Sequence, residues 1–97
     1  MGQYEFDRSQ MYPERRRHPR TAVHGTAQVV LEDCTEVSGE VVEISRGGFR
    51  MRHEFRGFKE GQRVNFVHTF GKGKARVVWS REVPPFVETG FCLLGLP

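Results

Sequence analysis

The chain has 97 residues, of which 37% are hydrophobic and 28% charged, with a net charge of +3 and two cysteines. That length supports one domain around one core and leaves little room for a deep catalytic cavity. No apolar run reaches the roughly 18 residues of a membrane span, the polar start MGQYEFDRSQ is no secretory signal, and two thiols without such a signal fit a reduced, cytoplasmic setting.

Residues 1–13 show no sustained periodicity and read as a flexible N-terminal arm. Residues 14–22 follow as an arginine loop, in which Pro13 and Pro19 bracket the basic run and disfavour helix. From Val23 the pattern is β. Ala27, Val29 and Leu31 alternate with Gln28 and Val30 in a first strand, and Glu36–Ser45 forms a second. After Gly47-Gly48, Phe49, Met51 and His53 alternate with Arg50, Arg52 and Glu54, the signature of a half-buried strand. Gly57–Gly61 reads as a loop. Val64, Phe66, His68 and Phe70 share one face of the fourth strand, and Gly71-Lys72-Gly73 reads as a hairpin turn. Ala75, Val77 and Trp79 pattern the fifth strand with Trp79 in the core. Pro84-Pro85 interrupts, and Thr89–Leu94 closes the set. The expected fold is all-β: a six-stranded antiparallel small barrel, whose closure removes exposed edges.

Charge is concentrated. Four of the fifteen basic groups and one of the twelve acidic groups fall in Glu14–Arg20, so the remaining sequence balances at eleven of each. A nucleic-acid polymer favours a broad basic face, and no such partner is expected. A small anion needs only a local cluster. Arg16 and Arg20, with Arg15 and Arg17 beside them, offer planar paired donors that clamp a phosphate, read a guanine O6/N7 edge or stack on a base. The same run also reads as a solvated basic arm. A second stretch, Glu43-Ile44-Ser45-Arg46-Gly47-Gly48, joins two strands. Its glycines permit positive φ and close approach of a ligand. Glu43 accepts hydrogen bonds only, which suits the N1–H and N2–H donors of guanine. An ordinary hairpin turn explains the same residues.

In order and spacing, Arg16-Arg17-His18-Pro19-Arg20 followed by Glu43–Gly48 resembles the PilZ domain pattern, Arg-x-x-x-Arg and then (Asp/Asn)-x-Ser-x-x-Gly. Gly48–Met51, Ala75–Trp79 and Thr89–Leu94 are similar to its third, fifth and closing strands, so the resemblance spans residues 14–96. It implies a bacterial, cytoplasmic receptor for the second messenger cyclic di-GMP that relays its level to a downstream protein in motility, exopolysaccharide or virulence control. Carried over by position, Arg16 and Arg20 hold phosphate and guanine, Arg17 assists, and Ser45 and Gly48 form the barrel-side contact with Glu43. Arg15 favours a stacked pair of ligands. Glu43 departs from the pattern by one methylene, which carries its carboxylate past the place a shorter acid would hold. A covering C-terminal helix is not expected, and Phe91, Leu93 or Leu96 are then partly exposed to a partner or in a homodimer.

Two other readings stay open: a PilZ-like protein-interaction adaptor that does not bind the nucleotide, and a small barrel for single-stranded nucleic acid. The four histidines lack metal-ligand spacing, no cofactor motif is present, and no side chains form a catalytic set. An enzyme is not expected.

Overall fold

The computed structural model describes residues 19–95. Six strands fill this region: β1 (Thr21–Leu31), β2 (Glu36–Ser45), β3 (Gly48–His53), β4 (Arg63–His68), β5 (Gly71–Val83) and β6 (Phe86–Leu93). They close into an antiparallel barrel in the order β1-β2-β3-β6-β5-β4, with β4 returning to pair β1. Closure gives each strand a neighbour on both sides, so backbone donors and acceptors find partners without a further layer.

Alternation builds the core. Ala27, Val29 and Leu31 of β1, Phe49 and Met51 of β3, Val64 and Phe66 of β4, and Ala75 and Val77 of β5 all point inward and are buried. The Phe49 ring lies 4.7 Å from both Phe66 and Phe91, so three strands lock through one aromatic cluster. Phe58, in the β3–β4 connection, plugs one end by packing edge-on against His53 and Phe91.

Several details differ from the sequence reading. Gly71–Gly73 is not a turn. Thr69-Phe70 makes the β4–β5 turn, and Gly71 already pairs with His68. The turn is braced because His68 Nδ1 accepts the Phe70 N–H at 3.0 Å. β1 starts at Thr21, inside the expected arginine loop. Phe91 is buried rather than exposed, because it stacks on Phe49. Leu93 is half-buried. Leu96 and the expected arm at residues 1–13 lie outside the described residues.

Candidate functional site

Two β-bulges decide what faces outward. On β2, Val41 pairs with Met51, but Glu43 rather than Val42 pairs with Arg50. Strict alternation would send Glu43 inward with Val41. The extra residue, Val42, reverses the parity and puts the carboxylate on the outer wall. β5 repeats the device. Val77 pairs with Phe91, and Trp79 rather than Val78 pairs with Gly90. Trp79 therefore leaves the core it was expected to join and lies against the outer wall.

The registers then line up one row across the barrel: Glu43 opposite Arg50, Arg50 opposite Gly90, and Gly90 opposite Trp79. The Trp79 indole covers Gly90 so closely that a Cβ there would collide with it. Arg20, Glu43, Ser45, Gly48, Arg50, Trp79 and Cys92 are among the residues around a half-open groove of about 180 Å³. At roughly 30 Å³ per water, that is about six waters, the scale of a single bicyclic base.

Four residues named from two distant stretches, Arg20, Glu43, Ser45 and Gly48, thus share one groove. Arg15, Arg16 and Arg17 lie outside the described residues. Gly48 is needed for a reason other than the expected positive φ: a side chain there would strike the Phe91 carbonyl oxygen on β6. The Ser45 hydroxyl donates only a long 3.4 Å bond to the Gly48 carbonyl, which leaves it free to turn toward a ligand.

The electrostatics form a chain. Arg20 Nη1 lies 2.9 Å from Glu43 Oε1, and Arg50 Nη2 lies 3.7 Å from Glu43 Oε2. Arg50 also reaches Glu88 at 3.2 Å, as do Arg52 at 3.0 Å and Arg81 at 3.7 Å. Glu88 is only 4% exposed although it belongs to the outer face. The three guanidinium groups cover it and replace the water it loses. Arg81 also sits over the Trp79 ring, 5.2 Å from its centroid. Four guanidinium groups share Glu43 and Glu88, and Glu40 stands opposite Arg52, so this wall keeps a small positive excess. The buried Nε of Arg50 has no hydrogen-bond partner among the described residues.

Arg50, Glu88 and the outward Trp79 escaped the sequence reading. Arg50 was legible only as one outward residue of an alternating strand. Glu88 carried a signal, a lone carboxylate in an otherwise apolar strand, which calls for a cation across the sheet.

His53 and His68 do not line this groove. His53 is buried, and its Nδ1 accepts the Phe55 N–H at 3.0 Å. The proton therefore sits on Nε2, which donates to Thr89 Oγ1 at 2.6 Å, and Thr89 in turn shares a 2.9 Å bond with Ser80. Burial pushes the His53 pKa down to about 4. Desolvation also lowers that of His68, at the rim. Both lie in the register of the inward-facing residues of their strands, as the alternation predicted.

The sequence profile of the PilZ domain matches residues 14–97. The chain belongs to the PilZ domain family. Solved structures share its fold, two of which carry descriptions that bear on it. One is described as the PilZ domain with c-di-GMP of YcgR from Escherichia coli, at 19% identity and a TM-score of 0.68, covering 87% of this chain and 81% of that one. The other, YcgR in complex with c-di-GMP from the same organism, aligns at 19% identity and a TM-score of 0.69 over 87% of this chain and 40% of its own. This PilZ domain therefore spans less than half of that larger protein. No curated protein matches the sequence. No described helix is long and apolar enough to cross a membrane.

Proposed function

We propose that this PilZ domain is a cytoplasmic receptor for cyclic di-GMP, with no cofactor and no catalytic step. One observation carries the reading: Arg20 from one end of the chain and Glu43, Ser45 and Gly48 from another line a single groove. Its chemistry suits the ligand. One guanine enters the groove and offers its N1–H and N2–H edge to Glu43. The Trp79 indole supplies a face for stacking once the Arg81 guanidinium over its ring moves aside. The guanidinium-rich wall suits the ligand's two phosphodiesters. The groove is on the scale of one base, so the rest of the ligand lies on the wall, where Arg16 closes over it with help from Arg17 and Arg15 stacks a second copy. This closed surface is what a downstream protein reads, in control of motility, exopolysaccharide output or virulence.

A second reading has one observation in its favour. Arg20 and Glu43 satisfy each other, and a domain that keeps this pair shut is an adaptor working through protein contacts alone. Titration calorimetry with cyclic di-GMP separates the two. The receptor reading expects saturable heat that Arg16→Ala and Arg20→Ala each diminish. No heat at high micromolar ligand leaves the adaptor.

A further inference from the structure

The outer face of β4 and β5 carries a separate basic surface that the nucleotide groove does not use. Arg63 stands directly opposite Arg76, Asn65 opposite Lys74, and Val67 opposite Lys72. All six are exposed. Like charges placed opposite each other on a sheet destabilise it. Among the described residues none of these four cations has a carboxylate within 4.0 Å; the ion pairs gather instead around Glu43, Glu82 and Glu88. Glu32 is the one acidic residue in the shallow groove that Arg63 and Lys74 line. A sheet face that carries repulsion without internal relief is suited to an external polyanion.

The neighbouring apolar groups say which kind. Val67 and Phe70 are the most exposed large hydrophobics among the described residues, at 49% each. Val67 sits on the basic face, and Phe70, in the β4–β5 turn at the adjoining rim of the barrel, lines a groove with Phe66, His68 and Lys72. β4 and β5 are hydrogen-bonded on both sides, so no peptide strand can add to them. The face is the convex wall of a barrel. A nucleic-acid backbone would meet the cations but leave Val67 without a partner. An anionic bilayer takes both, cations at the headgroups and apolar side chains just beneath.

We propose that this face docks the domain on an anionic lipid surface, with Arg63, Lys72, Lys74 and Arg76 at the headgroups and Val67 and Phe70 inserted at the turn. The proposal does not depend on nucleotide binding. The full chain is expected to sediment with vesicles of equal parts phosphatidylcholine and phosphatidylglycerol, and to stay in solution with phosphatidylcholine alone. Each basic residue near such a surface contributes about fivefold, so the triple variant Lys72→Glu/Lys74→Glu/Arg76→Glu should bind at least about a hundredfold more weakly. Phe70→Ser keeps every charge and should still lose several-fold. The N-terminal arginines are identical in all these proteins, so any loss belongs to the barrel face. Should the triple variant unfold, Lys74→Gln/Arg76→Gln decides in the same way with a smaller loss. Vesicle binding that charge removal leaves unchanged overturns the proposal, as does a wild-type chain that ignores the anionic vesicles. A Phe70→Ser protein that binds like wild type also overturns it, because the attachment is then one of charge alone, without insertion.

Discussion

Arg20 and Glu43, separated by 22 residues of sequence, meet at 2.9 Å on the outer wall of the barrel. Both are groups that a guanine nucleotide would need, and here each occupies the other. Arg20 is 38% and Glu43 20% exposed, so the pair adds at most about 1 kcal/mol to folding. A ligand that offers Arg20 a phosphate and Glu43 two N–H donors replaces it at small cost.

Glu43→Asp tests that exchange. The shorter acid cannot reach Arg20 and Arg50 together, and its carboxylate retreats toward the strand. Arg20 is released and the acceptor moves nearer a rigid base edge. Cyclic di-GMP is expected to bind up to about tenfold more tightly, about 1.4 kcal/mol, the scale of one repaired hydrogen bond. Calorimetry reads this directly. Weaker binding by the Asp variant would show that the longer side chain is the one the site needs.

Trp79 is the single tryptophan in the chain, so its fluorescence reports on the groove alone. Stacking of a base on the indole should quench the emission in step with the calorimetric isotherm. Trp79→Ala is expected to weaken binding by about 1–3 kcal/mol. Gly90→Ala should act on the same contact, because the added methyl pushes the indole aside. Saturable heat with no change in emission would place the base elsewhere.

Glu88 has a structural task. Three arginines converge on it, and it has almost no access to water. Glu88→Gln leaves Arg50, Arg52 and Arg81 facing one another without a shared anion. The arginines retain some water, so the loss falls below that of a fully buried pair, at about 2 kcal/mol. For a domain of this size that lowers Tm on the order of 10 °C. Calorimetric melting that leaves Glu88→Gln at the wild-type Tm would show that the cluster is solvated and adds little.

The barrel was legible because its strands obey period-two alternation over most of their length. β3 shows it best: Phe49, Met51 and His53 point inward, as their pattern foretold. The convergence of Arg20 with Ser45 and Gly48 was also legible, through the order of two motifs. What escaped was set by single-residue insertions. A bulge at Val78 leaves no mark in composition, yet it turns Trp79 from the core to the surface. The turn between β4 and β5 was misplaced for a different reason. Gly71 and Gly73 suggest a turn, but the His68 imidazole braces one two residues earlier. The Glu88 cluster depends on cross-strand register among β3, β5 and β6, which no local pattern contains.

The His53–Thr89–Ser80 chain makes stability depend on pH. His53 is held neutral: its Nδ1 is occupied by the Phe55 N–H, and burial lowers its pKa to about 4. In the unfolded chain the imidazole takes a proton below about pH 6.5. Between these values the unfolded state binds more protons, so stability is full above pH 6.5 and falls as the pH drops toward 4. The loss from His53 reaches at most about 3 kcal/mol. His68 is shifted in the same direction and adds to it. Carboxylates also titrate near the lower limit, so the informative quantity is a difference between proteins. Gln at position 53 has an amide that can donate to Thr89 as Nε2 does, without a titrating group. Urea unfolding at pH 7 and pH 5 should show His53→Gln losing clearly less stability on acidification than the wild type. Equal losses in the two proteins would mean that His53 is protonated in the folded state, which its contacts to Phe55 and Thr89 do not allow.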